Sequence, residues 1–131
     1  MLSFDYGQRH VKELESAQAL AEFLGRASMD CEVTWRPVDL TSITSLLGGS
    51  ALTDDIEVPD GHYTWDTARI TVVPNRNMMM LSIAVAAAVA WKAERVYTGV
   101  HAGDHFVYPD CRPEFIKAVN STSQLANEGF T

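Results

Sequence analysis

Thiols, basic residues and membrane-length apolar runs are all scarce in this sequence, and each scarcity excludes something. Only two cysteines occur, Cys31 and Cys111, on unrelated stretches and with no CxxC spacing, so no disulfide framework is indicated. No signal-peptide pattern opens the sequence, and together these features point to a reducing, cytoplasmic compartment. Ten Lys and Arg stand against seventeen Asp and Glu, for a formal charge of -7. Such a balance argues against direct nucleic-acid binding and against anionic membranes, because neither field favours an acidic partner. The longest apolar run, "MMMLSIAVAAAVAW" at residues 78–91, is shorter than the roughly 20 residues a membrane span needs and reads as a buried helix. Internal repeats and low-complexity tracts are absent. What is present is 131 residues at 47% hydrophobic content, enough for one domain with one core.

The opening "MLSFDYG" alternates Leu2, Phe4 and Tyr6 against Ser3 and Asp5, the period of a strand ending at Gly7. From Arg9, the residues Val11, Leu14, Ala17, Ala21 and Leu24 recur at helical spacing, with Gly25 placed to stop the helix. "CEVTW" alternates again, and Pro37 closes that strand near Asp39. "TSITSLL" predicts a short helix. Residues 48–70 mix Gly, Pro and Asp without a sustained period and read as an irregular insertion. "VVPNRN" then leads into the apolar helix, whose faces are almost all apolar, so that it should be covered on most sides. "ERVYTGV" at residues 94–100 reads as a buried strand, and the loop "HAGDHFVYPD" follows it. The final helix begins near Asp110 or Arg112, with Pro113 suited to a first turn and Phe115, Ile116, Val119 and Ala126 as its stripe. The order of elements favours a doubly wound α/β domain built on a parallel sheet, in which ligands bind beyond the carboxyl ends of strands.

Three polar clusters fall at those ends. Gln8, Arg9 and His10 follow the first strand at a glycine turn, where side chains project into a crevice and helix N-terminal N–H groups attract anions; a solvated helix start explains them equally well. Arg76 stands at the mouth of the apolar helix, where a guanidinium grips phosphate or carboxylate through two parallel hydrogen bonds. The plainer alternative is an Asn75 cap with a surface arginine, and the three methionines after it read as core filler. The last cluster holds His101, Asp104, His105, Tyr108, Asp110, Cys111 and Arg112. A helix start beside Arg112 favours a thiolate at Cys111, although packing is the commoner use of such a residue. A single His-x3-His spacing in a loop is too frequent to assign a metal.

Read together, "LSFDYGQRH", "LLGGSALTDDIEVP", "VPNRN" and "YPDCRPEFI", in this order and spacing, resemble the 7-cyano-7-deazaguanine synthase family, also called QueC or ExsB. The resemblance implies a Rossmann-like domain of the adenine nucleotide alpha hydrolase, or PP-loop ATP pyrophosphatase, type: a parallel sheet flanked by helices, here incomplete, with residues 1–131 as one partial domain. It implies a ligase that activates the carboxylate of 7-carboxy-7-deazaguanine by adenylation, adds ammonia and dehydrates the amide to the nitrile, feeding queuosine-type bases. ATP and the small deazaguanine are then its ligands. Under this resemblance Arg76 and Asp104 are catalytic, and Tyr6, Gln8, His10, Asn77, Tyr108, Asp110 and Arg112 bind substrate.

Three departures accompany it. The family's SGGxDS phosphate loop, which follows an earlier strand lying between those of "LSFDY" and "ERVYTGV", is missing from these residues. Its zinc-binding cysteine cluster is missing as well, so no zinc site is expected in this chain. Asn75 stands where the family motif carries glycine, and "HAGDHFV" departs from the usual loop. The expectation is therefore a substrate-side fragment inactive alone; the alternatives are a binding module or a subunit completed by a separate phosphate-loop chain, with homo-oligomerisation also open.

Overall fold

The structure, a computed structural model, describes residues 1–8, 12–27, 31–46, 72–100 and 108–127. The chain divides into two compact units, Met1–Asp60 and Gly61–Thr131. In the first, strand β1 (Leu2–Asp5) pairs in parallel with β2 (Arg36–Asp39), and helix α1 (Lys12–Ala27) lies between them in sequence. Strand, helix and parallel strand form the crossover unit expected from the alternating pattern.

Helix α1 turns Leu14, Ala17 and Ala21 inward at three- and four-residue steps, and Ala21 is its buried anchor. It continues past Gly25 to Ala27, so that glycine does not end it. Gly25 costs the helix some backbone entropy without breaking it, since its φ/ψ freedom includes the helical well.

The second strand is shifted from the expected one. Residues 31–35 lie outside the ladder, Cys31 is exposed, and pairing starts at Arg36 and ends at Asp39, where the strand is expected to end. Pro37 therefore sits inside the strand rather than closing it. Its ring is accommodated because Arg36 N–H donates to Met1 O at 2.9 Å and Leu40 N–H to Asp5 O at 2.6 Å. Alternation along a parallel strand then points the backbone groups of Pro37 and Asp39 away from β1, so no ladder bond is lost. Upstream, the N-terminal ammonium donates to Thr34 O, and Trp35 Nε1–H donates to Ser3 Oγ at 3.0 Å. These ties hold the approach to β2 beside β1 without ladder geometry.

After β2, a 3-10 helix spans Thr41–Leu46, as "TSITSLL" predicted. Asp39 starts it: one carboxylate oxygen accepts from the Thr41 N–H at 2.8 Å and from its hydroxyl at 2.6 Å. The hydroxyl bond first, and the N–H bond second, hold the Asp39 carboxyl below its ordinary value, against a smaller opposing effect of desolvation. The insertion at residues 48–70 lies outside the described residues.

The second unit carries helix α2 (Arg76–Ala90), a short 3-10 helix (Pro109–Cys111) and helix α3 (Pro113–Ala126), packed on one another. The entry to α2 is a turn in which Arg76 N–H donates to Val73 O at 3.3 Å, with Pro74 second and Asn75 third. Asn75 has φ 59°, a left-handed conformation of the kind a type II turn requires at that place. This accounts for asparagine at a position where the resemblance led us to expect glycine: asparagine is among the few other residues that adopt it readily. The Asn75 side chain makes no cap bond. At the other end Lys92 N–H donates to Val89 O and Ala93 N–H to Ala88 O, with Lys92 at φ 54°, which is a Schellman closure.

Two expectations about this unit are corrected. Helix α2 is covered on fewer sides than expected: Leu81 and Ala88 are buried, whereas Ser82, Ala86, Val89 and Ala90 are exposed. Residues 94–100 do not form a buried strand; no ladder bond reaches them from the described residues, and Tyr97 is 83% exposed. A strand pattern becomes a strand only when a neighbour accepts its backbone groups, and a largely apolar helix is buried only where packing partners reach it.

The last helix starts as predicted, with Arg112 as extended N-cap and Pro113 in the first turn. Phe115, Ile116 and Val119 face inward, but Ser123 rather than Ala126 continues the stripe. The Ser123 hydroxyl is satisfied by donating to Val119 O at 2.8 Å, which lets a polar residue sit at a buried helical position.

Candidate functional site

The turn after β1 is closed by side chains. Gly7 has φ 83°, a conformation that favours glycine, and its N–H donates to Asp5 Oδ1 at 3.0 Å. Gln8 uses both ends of its amide on this turn: Oε1 accepts from Tyr6 N–H at 2.9 Å and Nε2 donates to Phe4 O at 3.1 Å. Tyr6 is buried at 6% exposure. Of the residues predicted to face substrate in this unit, Gln8 thus braces the backbone and Tyr6 packs into the core. His10 lies outside the described residues.

In the second unit, two segments far apart in sequence meet. Asp110 Oδ2 accepts from the Asn77 backbone N–H at 3.2 Å, and Asn77 Nδ2 donates to Asp110 O at 3.3 Å and to Cys111 Sγ at 3.5 Å. With Asn75 as N-cap, Asn77 holds one of the helix's four orphan N–H groups. Because Asn75 has turned its backbone left-handed and its side chain makes no cap bond, a carboxylate from 33 residues away takes that N–H. Asp110 is placed for this by its own 3-10 turn, in which Cys111 N–H donates to Tyr108 O at 3.0 Å and Arg112 N–H to Pro109 O at 3.2 Å. Cys111 is buried beneath the contact, at 8% exposure.

The predicted residues Asn77 and Asp110 are therefore in direct contact. Arg76 and Arg112 each stand one residue from it, Arg76 half-buried and Arg112 exposed, and Tyr108 begins the turn. Asp104 lies outside the described residues, as do His101 and His105. The part of Cys111 in this contact was missed by sequence reading, which took it as packing. No local signal marks a bond across 34 residues.

A separate groove of about 260 Å³ runs between α2 and α3, with Leu81 and Val85 on one wall, Ile116, Val119 and Ser123 on the other, and residues 94–98 along its rim. None of the predicted site residues lines it. Among the described residues no group of three or more His, Cys, Asp or Glu is placed to hold a metal ion, and no helix is long and apolar enough to cross a membrane.

A parallel strand–helix–strand unit together with a second helical unit places the chain among α/β proteins of the Rossmann-like type. Its particular family follows from comparison: residues 1–131 match the family described as "Queuosine biosynthesis protein QueC". The chain belongs to that family. It is 56% identical over 130 residues to a 7-cyano-7-deazaguanine synthase of Brucella anthropi, covering 99% of this chain and 53% of the relative. It is 53% identical over 126 residues to 7-cyano-7-deazaguanine synthase 1 of Colwellia psychrerythraea, covering 96% of this chain and 55% of that protein. A synthase of Hahella chejuensis carrying the same name is 53% identical over 126 residues, covering 96% and 52%. The chain spans about half the length of the curated relatives it matches.

Proposed function

We propose that this chain supplies the substrate-side part of a 7-cyano-7-deazaguanine synthase, as one partial domain, and that synthesis needs the remainder of the length its relatives possess. The reaction converts 7-carboxy-7-deazaguanine and ammonia to the nitrile by way of an amide, at the expense of ATP, for queuosine-type bases. The observation that carries the reading is the match along all 131 residues to the QueC family, with relatives of that function at 52–56% identity.

Several features of the chain support it. Arg76, at the first turn of α2, and Arg112, at the N-cap of α3, adjoin in sequence the residues Asn77 and Cys111 of one contact, and both are cationic donors of a chemistry suited to carboxylate and phosphate oxygens. ATP supplies the group that activates the carboxylate. The glycine-rich cradle that would hold its phosphates is not among these residues, so this chain's own share is to hold the anionic substrate group and orient the base. We assign the first task to Arg76, with Arg112 beside it, and the second to Tyr108. Asp104 remains the proposed second catalytic group. The work is that of a soluble cytoplasmic enzyme on a small molecule, with no nucleic acid or membrane as partner; the zinc of the family belongs to residues outside this set.

A chimera tests the reading: these 131 residues replace the matched segment of the Brucella anthropi relative. It should form nitrile from 7-carboxy-7-deazaguanine, ammonia and ATP, whereas the 131-residue chain alone should form none. Arg76→Ala in the chimera should lower turnover roughly a hundredfold with little change in melting temperature, the pattern of a lost electrostatic contact to reacting groups. Cys111→Ser should remain folded and substantially active. A folded chimera without turnover overturns the proposal, and nitrile formed by the chain alone overturns its dependence on the rest.

A further inference from the structure

We propose that Asp110 and Asn77 are positioning residues, which clamp the turn bearing Cys111 and Arg112 onto the first turn of α2 and so hold Arg76 and Arg112 in a fixed relation. Three contacts make the clamp, and they are complementary. The Asp110 carboxylate takes a helix N–H that its own N-cap side chain leaves open, while the Asn77 amide returns bonds to the Asp110 carbonyl and the Cys111 sulfur. A carboxylate at a helix N-terminus is also favoured by the helix dipole, so the interaction has an electrostatic as well as a hydrogen-bonding part.

The placement matters because an arginine stands next to Asn77 and another stands two residues after Asp110. Arg76 precedes Asn77 in α2, and Arg112 follows Cys111 at the N-cap of α3. Left to themselves, a left-handed Asn75 and an isolated 3-10 turn are weak determinants of where these two backbones sit. The clamp removes that freedom, and Cys111, buried under it, makes the seat apolar. Asp110 thus spends one carboxylate oxygen on the fold of its own chain, and the position it occupies at the head of α2 is closed to an anionic ligand.

The structural half of this proposal stands on the contacts alone; the kinetic half rests on the synthase reading. In the 131-residue chain, amide hydrogen exchange followed by NMR should show the Asn77 amide exchanging roughly three- to tenfold faster in Asp110→Ala, with Ala87 and Ala88 unchanged as internal controls. Asp110→Asn keeps an oxygen acceptor and should stay within about twofold of the unsubstituted chain. In the chimera, Asp110→Ala should lower kcat/KM at least tenfold, and Asp110→Asn should restore it to within about threefold. An Asn77 amide indifferent to Asp110 overturns the clamp. So does an Asp110→Asn chimera as impaired as Asp110→Ala, since a carboxylate that touches substrate directly, rather than through the helix, cannot be replaced by an amide. An unsubstituted chimera with no activity counts against the synthase reading and leaves the exchange measurement to decide the clamp.

Discussion

Residues 36–39 and residues 94–100 both mix apolar and polar side chains, with Val38 in the first and Val96, Tyr97, Thr98 and Val100 in the second, and they end differently. The first pairs with β1 and is braced from both sides, by Trp35 on Ser3 before it and by Asp39 on Thr41 after it. The second joins no ladder among the described residues, with Tyr97 exposed to solvent. The difference lies in partners and not in propensity. A parallel strand needs a neighbour to take its N–H and C=O groups, and β2 has one within its own unit.

Substitutions sharpen that contrast, the greatest effect coming first. Val38→Pro removes an N–H on the β1 side of β2 and should destabilise the first unit on the order of 2–4 kcal/mol, measured by chemical denaturation. A loss below about 1 kcal/mol would mean that the ladder is not what holds β2. Trp35→Phe keeps the ring and deletes the bond to Ser3 Oγ, for a loss of about 1 kcal/mol. In the unpaired segment Tyr97→Ser should change stability by no more than about 0.5 kcal/mol, because the side chain is largely exposed and its hydroxyl accepts only a long bond from Arg95 at 3.4 Å; a larger cost would show that Tyr97 supports the groove it borders.

The smallest effect concerns pH. Asp39 is held below its ordinary value by Thr41, so its contribution to stability is complete above the unfolded-state pKa and is lost as pH falls through the lower folded-state value. Asp39→Asn should therefore make the decline in melting temperature between about pH 5 and pH 2 slightly shallower. An unchanged acid limb would show that the Thr41 bonds form in the unfolded chain too. Because Asp39 is exposed, solvent screens the interaction and the shift should be small.

The parts legible in the sequence were those governed by local chemistry. The period of α1, the short helix after Asp39, Gly7 at a left-handed turn and Pro113 at the start of α3 all follow from rules that act within a turn or two. The fold class was legible for the same reason, since alternating strand and helix periods imply parallel pairing. The ladder's starting point was not: the alternation of Cys31, Val33 and Trp35 suggested a strand already paired before Arg36, because the phase of backbone hydrogen bonds carries no side-chain signature. The site was legible as a set of residues through the family resemblance. Its internal geometry was not, because whether Asp110 meets a ligand or the head of a helix depends on a contact 33 residues away.

Pro37 has one more consequence. Its backbone faces away from β1, where it offers a carbonyl but no N–H, so a strand approaching that flank would find one of its own carbonyls without a donor. The two flanks of this small sheet are thus unequal. On the side of β2 the imino acid acts as a stopper against enlargement and against illicit pairing with other chains, while the outer side of β1 has no such block. Any growth of the sheet in this unit is polarised: it proceeds outward from β1.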